Sequence, residues 1–495
     1  MQTTWFDHLN SWNPQLVREW RGRLKTRNVV AAIALSVIAQ MLLCLVQFQG
    51  LSFQTPQEQW FSIWQTLTSC FPYVLFSLGG YYIVSDITQE EKRGTLNFIR
   101  LSPRPGWQIL LGKMLGVPIL PYITIASAVP LHVLSAVQAD VSLGLIVSYY
   151  ILLFGSCLFC YSLALLSGLV GGGAPKLLNR QATASVSFGI LAFFILSPSF
   201  LGWNWLVPWQ SFRESNEWAT TVHWSFISLT GNPLIAHGFT IANLAIATAL
   251  LWRVLLRRFR QPRSTLLSKR QSYGFVAYIE ILIIGFALNP SFGDLESGAM
   301  AASAFGLYAS SILLISVVMF STVPSRQALL DWSRYQSRDL QSWLWSDKSP
   351  MPLALGLNLL LIYGLLIPWT FASSLAIQYP LGTLVSFLSI AMTVIMAGVL
   401  TQIIFAMRIR NPTTWAVGIL LIWFTVPPAV MGLLGLIPEN IGMMATFWTL
   451  FGYPVWHFEN PLALSFTFIG MVFQGIVLIL LVWQFSSILR RLHQS

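Results

Sequence analysis

The chain has 495 residues, 55% of them hydrophobic and 9% charged, far below the ~25% charge of soluble domains. That excludes an ordinary soluble enzyme and leaves a polytopic helical membrane protein. Its net charge of +11 is spread over several short loops and not gathered in one aromatic-laced groove, so no nucleic-acid partner is expected.

The stretch before Val29 is polar, aromatic and basic and lacks the apolar core of a cleavable signal, so the first apolar run is expected to act as its own membrane signal. Within it, NPQLVREWRGRLKTR (Asn13–Arg27) sets Val17, Trp20 and Leu24 on one helical face and Arg18, Arg21 and Lys25 on the next. That pattern fits an interfacial helix; a plain basic tail is the alternative. Apolar runs follow near Val29–Gln47, Trp64–Val84, Ile109–Val137, Leu143–Val170, Ala182–Phe200 and Phe239–Leu256. A second set lies near Phe275–Leu288, Ala302–Phe320, Met351–Ala376, Leu381–Met407, Trp415–Ile437 and Leu462–Phe485. Each is close to the ~20 residues that cross a bilayer. The expected fold is therefore all-α, a transmembrane bundle of twelve spans.

With the N-terminus in the cytoplasm and sides alternating, all of the 28 Lys and Arg residues except Arg213 fall on the cytoplasmic side. The positive-inside rule thus predicts a multi-pass protein of the plasma or inner membrane with both termini cytoplasmic. The two sets of six also echo each other: RGTLNFIRLS with QALLDWSRYQ, LGLIVS with LGTLVS, SLTGNPL with TLFGYPV, and LLWRVLLRRFRQ with LVWQFSSILRRLHQ, in the same order. They read as parallel six-span repeats, a first half over 1–256, a basic linker over 257–270 and a divergent second half over 271–495.

Between the second and third runs lies TQEEKRGTLNFIRLSPRPGWQILLGK (Thr88–Lys113). Asp86 with Gln89 resembles a capping box, predicting a short helix that starts there. Pro103 ends it, and Trp107 is placed as an interfacial anchor. The helix is charged at its start and apolar around Leu96, Ile99 and Leu101. A solvated loop is one reading of it; a dock for a cytoplasmic partner is the other.

EEKRGTLNFIRLSPRPGWQILLGK resembles the signature segment of ABC-2-type transporter permeases, and Asn13–Arg27 looks like that family's elbow helix. The similarity is good to Gly116 and weak in the second half. The resemblance implies the membrane subunit of an ATP-binding-cassette exporter, driven by a separate ATPase that grips a coupling helix; one chain supplying both halves of the pathway and a homo- or heterodimer are both open. It makes Glu90, Glu91, Arg93, Gly94, Thr95 and Leu96 coupling residues, and places re-entrant segments at Ser228–Pro233 and Thr449–Pro454. The second half has PSRQALLDWSRYQS at the matching place, so Arg326, Asp331 and Arg334 are only a weaker second dock.

No Walker motif is present: Gly112–Lys113 is followed by Met114 and opens a helix. ATP is therefore expected to be bound by the partner, with no cofactor on this chain and no enzyme activity of its own. The six His residues show no metal-ligand spacing. Cys157 and Cys160 form C-x-x-C inside an apolar run, where thiols serve packing. Glu280, in FVAYIEILIIGF, is the one acid inside an expected span; it is a functional acid or half of an ion pair, for instance with Arg253. Two other classes stay open beside the permease: an ATP-independent secondary carrier, which would place polar groups at the midplane, and an intramembrane enzyme. The substrate is not legible.

Overall fold

A computed structural model describes residues 11–49, 55–171, 180–212, 222–288, 297–335, 339–371, 380–436, 443–452 and 461–494. Helix dominates, as it must where no water can satisfy backbone groups; the strands among the described residues are the two-residue pair His223–Trp224 and Ile227–Ser228. Ten of these helices are long and apolar enough to cross a membrane, or up to eleven if one bent pair counts as a span. The chain is a polytopic, mostly α-helical membrane protein.

It divides into two units, Met1–His223 with Ile227–Arg263, and Trp224–Phe226 with Ser264–Ser495. The first holds α1 (Pro14–Arg23), α2 (Thr26–Gln49), α3 (Pro56–Arg93), α4 (Thr95–Arg100) and α5 (Gly106–Gly116). It continues with α6 (Ile119–Gln138), α7 (Leu143–Gly171), α8 (Ala184–Phe212) and α9 (Pro233–Arg260). The second unit holds α10 (Lys269–Ala287), α11 (Ser297–Thr322), α12 (Arg326–Tyr335), α13 (Leu340–Trp345) and α14 (Pro352–Phe371). It ends with α15 (Pro380–Ala406), α16 (Pro412–Leu433), α17 (Met444–Leu450) and α18 (Pro461–Gln494).

Twelve spans were expected, and the difference has two sources. α10 opens with Lys269 and Arg270 and carries Glu280, and it is not among the ten. The eighth run is the bent pair: Gly306–Thr322 turns by 67° into Arg326–Tyr335. The third run also divides. Val117 and Pro118 part it into α5, which is too short to cross, and α6, which is long and apolar enough to do so.

α3 is continuous from Pro56 to Arg93 but widens to a π-helical stretch at Tyr73–Gly79. Pro72 explains where the widening begins. A proline inside a helix has no N–H to give the carbonyl four residues back, and the Thr68 carbonyl accepts the Tyr149 hydroxyl instead, at 2.7 Å. The Pro72 and Leu75 carbonyls accept from Ser197 (3.3 Å) and Tyr161 (3.0 Å). Neighbouring helices thus satisfy what the irregular turn frees.

Around it the first unit packs Phe71, Ile83, Val84, Ile87, Leu110, Cys157, Cys160 and Leu165 into one core. His132, buried beside this core, has both ring nitrogens satisfied, by Thr68 Oγ1 at 3.0 Å and the Tyr150 hydroxyl at 2.8 Å. The second unit packs Val276, Leu307, Ile315, Val318, Met351, Ile362 and Phe387 between α10, α11, α14 and α15.

Candidate functional site

The charged segment forms a knuckle at the end of α3. No helix starts at Asp86: the residue lies inside α3, which runs on to Arg93. The reversal occurs at Gly94, whose φ of 74° is left-handed and whose N–H bonds the Glu91 carbonyl at 3.1 Å. Any other residue there would be strained. Thr95 Oγ1 then donates to the Glu90 carbonyl at 3.2 Å, and α4 ends before Leu101–Pro105, as the prolines require.

The residues named from sequence divide into two groups. Leu96 is buried in the first unit's core and fixes α4 from below. Glu91 pairs with Arg100 at 3.4 Å, and the Arg100 guanidinium lies 5.7 Å from the centre of the Phe259 ring. Glu90 also turns inward. Lys92, Arg93 and Thr95 face out. Phe98 and Leu101 face out too, at 76% and 83% exposure. The knuckle is a small apolar tip beside two cations.

Beneath it sits a cluster that composition did not reveal. Lys113, on α5, is fully buried, and its Nζ lies 2.6 Å from Asp86, 2.8 Å from Glu90 and 3.5 Å from Glu19. Arg23 reaches Asp86 at 2.6 Å and Glu19 at 3.4 Å, and Arg18 reaches Glu90 at 2.6 Å and Glu19 at 3.3 Å. Three cations thus meet three carboxylates. The acid oxygens converge within 4.8 Å, as around a metal ion, but the ammonium contacts all three acids and supplies the positive charge itself. α5 lies outside the spanning helices, and here burial, which lowers a lysine pKa, is outweighed by Asp86, Glu19 and Glu90, which raise it.

Local sequence builds this cluster. Asn13 caps α1, accepting the Leu16 N–H at 3.1 Å, and its amide donates to the Gln108 carbonyl at 2.7 Å. α1 then lies on α5 across Gly112 and Gly116. A Cβ on Gly112 would fall 2.6 Å from Asn13 Oδ1, and one on Gly116 would fall 2.7 Å from Glu19 Cβ. The Gly-x-x-x-Gly spacing lets the backbones close, which brings Glu19 to Lys113. A lysine between two such glycines in an apolar run was the available sequence signal. The elbow-like helix is thereby clamped to the knuckle through Asp86 and Glu90.

In the second unit α12 holds Arg326, Asp331 and Arg334, the expected weaker dock. Leu329 and Trp332 are buried, and Trp332 Nε1 donates to Ser342 Oγ at 3.0 Å. Arg334 is exposed, Arg326 is half-buried, and Asp331 makes an exposed pair with Lys348 at 3.2 Å. The following segment is pinned to the start of α10 by a second buried lysine. Lys269 donates to the Trp343 carbonyl at 2.6 Å, the Pro350 carbonyl at 2.9 Å and Ser349 Oγ. Its backbone N–H donates to Asp347 at 3.0 Å. Lys269 precedes the apolar run of α10; burial lowers its pKa to about 7, against the opposing charge of Asp347. Sequence placed this residue in a linker and missed the cradle.

Glu280 lies in the second unit's interior, fully buried, with neither carboxyl oxygen hydrogen-bonded among the described residues. Of the expected re-entrant segments, Ser228–Pro233 is a strand end and a turn leading into α9, with Asn232 capping the Leu234 N–H at 2.9 Å. Of the other, Thr449 lies in the last turn of α17, and residues 453–460 lie outside the described set. Comparison with protein-family models, with curated proteins and with solved structures finds no match.

Proposed function

We propose that the chain is the membrane-spanning subunit of an ATP-driven transporter, an exporter, and that a separate ATPase docks on the knuckle between α3 and α5. The observation that carries this reading is the construction of the knuckle. An ordered turn is fixed from inside by Leu96 and the Glu91–Arg100 pair, yet it exposes Phe98 and Leu101. A solvated loop has no use for apolar side chains held outward on a rigid base. A docking cleft does. The turn also ends a single helix that runs back to Pro56, so a push on it would reach the wide turn at Tyr73–Gly79. Irregular turns of this kind often serve as hinges. The Lys113 cluster would make α1 move with the knuckle as one body. In this reading the knuckle faces the cytoplasm, the two halves descend from one six-span plan, and α12 is a weaker second dock.

The test is affinity purification of the tagged chain from membranes of its native host. A retained polypeptide with a Walker motif, and ATP hydrolysis in the eluate, are expected. Both should fall at least several-fold with Phe98→Ala/Leu101→Ala while the chain elutes unchanged. Retention unaffected by that pair would remove the knuckle as the dock. A second reading, an ATP-independent carrier, is favoured by one observation, the buried carboxyl of Glu280.

A further inference from the structure

The surroundings of Glu280 are specific enough to assign it a ligand. It stands on the face of α10 that also carries Val276 and Ile284, within the apolar core formed with Leu307, Leu314, Ile362 and Leu366. The helices packed most on α10 are α11, α13 and α14, and Trp224 also lies against it, donating from Nε1 to the Leu282 carbonyl at 3.1 Å. None of these helices has an acidic, basic or histidine residue in its sequence, and their titratable groups are Tyr308 on α11 and Tyr363 on α14. Tyr363 donates to the Phe387 carbonyl at 2.9 Å. On α10 itself Tyr273 donates to the Leu344 carbonyl at 2.7 Å, Tyr278 is half-buried, and Lys269 and Arg270 lie ten or more residues before Glu280, about 15 Å along the axis. No cation of this unit pairs with the carboxyl among the described residues.

Ser311 lies beside the carboxyl; its hydroxyl donates to the Leu307 carbonyl at 3.0 Å, and neither carboxyl oxygen of Glu280 has a hydrogen-bond partner among the described residues. A serine hydroxyl both donates and accepts, so it can pass a proton to or from a neighbouring carboxyl. An ionised group with no partner in such surroundings takes up a proton instead of staying charged. One turn from Ser311, on the same face of α11, Tyr308 shares a 2.9 Å hydrogen bond with Thr370, near the end of α14.

We propose that Glu280 is a proton-binding site in the core of the second unit, occupied in this conformation, and that it exchanges its proton by way of Ser311, Tyr308 and Thr370. A purely structural position would be filled as well by glutamine or leucine, neither of which can take up and release a proton. The assignment is independent of the docking reading: a proton site can couple to ATP-driven or to ATP-independent transport.

Infrared spectroscopy of the purified full-length protein tests it at neutral pH. The expected result is a protonated-carboxyl C=O band that is lost in Glu280→Gln and shifts down when the sample is moved into D2O. The shift should be several-fold slower in Tyr308→Phe. If Glu280→Gln does not fold, glutamate labelled with 13C at the side-chain carboxyl makes the same assignment in the unaltered chain. Absence of the band, a band that never shifts in D2O, or a shift whose rate ignores Tyr308→Phe would each overturn the proposal.

Discussion

Two lysines, one in each unit, are buried to the same degree and live opposite lives. Lys113 is surrounded by Asp86, Glu90 and Glu19; Lys269 is surrounded by two carbonyls and a serine hydroxyl, with Asp347 bonded to its backbone. Burial disfavours the charge of both. Three carboxylates reverse that penalty at Lys113, and its pKa is raised. Neutral oxygens do not reverse it at Lys269, whose pKa falls to about 7. Depth alone therefore does not decide whether a buried lysine is a fixed charge; the formal charge of its neighbours does. Each lysine also ties a solvent-facing turn to its unit, one the knuckle after α3 and the other the segment after α13. The first tie is ionic and permanent, and the second is made of dipoles and can be titrated.

The sharpest way to break this contrast is to remove each ammonium while keeping its stem. Lys113→Met leaves three acids facing only Arg18 and Arg23. Removing one partner of a buried ion pair costs ~3–5 kcal/mol, so thermal melting in detergent should show a large loss, with α1 detaching first and becoming open to proteolysis near Trp20. Lys269→Met takes the ammonium from the Pro350 carbonyl and from Ser349 Oγ, while the Trp343 carbonyl keeps the Ser349 hydroxyl at 3.0 Å; an unmade buried hydrogen bond costs ~1–3 kcal/mol, and the loss should be confined to the second unit. Equal losses in the two variants would mean that neighbour charge is not the deciding variable.

The membrane class and the positions of the apolar runs were legible because hydropathy is a local property. The end of the knuckle was legible too, since Pro103 stops the helix there, but the break at Gly94 was not: the expected helix ran through it from Asp86, whereas the structure turns at its left-handed φ of 74°. Asp86 misled. The D-x-x-Q pattern marks a helix start only where the preceding residues are not already helical, and here α3 had been running since Pro56. Its carboxyl serves Arg23 and Lys113 instead. The ion cluster was out of reach for a different reason: Glu19 and Lys113 are 94 positions apart, and only the packing of α1 over Gly112 and Gly116 makes them neighbours. Pro72 signalled a defect in α3, but not that Tyr149 would satisfy the carbonyl it frees. Glu280 stood out as a lone acid from the first; that neither of its oxygens has a hydrogen-bond partner among the described residues is a property of packed helices and could not be read along one.

The titratable tie predicts a pH dependence with a definite sign. Lys269 has a folded pKa of about 7 against the ordinary 10.5, so between those values the unfolded chain binds the extra proton. Stability then rises with pH across that window, by up to about 1.4 kcal/mol per pH unit. The melting temperature of the second unit should climb between pH 7.5 and 8.5, and Lys269→Met should flatten the climb. Lys113, protonated in both states over that range, should contribute no slope.

The smallest effect is expected at the rim of the ionic cluster. Arg18 approaches Glu90 to 2.6 Å, as closely as Lys113 approaches Asp86, but its side chain is 52% exposed. Distance alone would rank the two contacts equal. Solvent ranks them otherwise: an exposed pair is worth about 0–1 kcal/mol and weakens in salt, and Glu90 keeps Lys113 at 2.8 Å when Arg18 is cut back. Arg18→Ala should therefore shift melting only slightly, and 1 M salt, where the screening length is about 3 Å, should erase the difference from the unaltered chain. The Lys113→Met loss should survive the same salt. A large, salt-resistant effect of Arg18→Ala would show that the three acids need every cation around them and that the buried ammonium does not carry the cluster by itself.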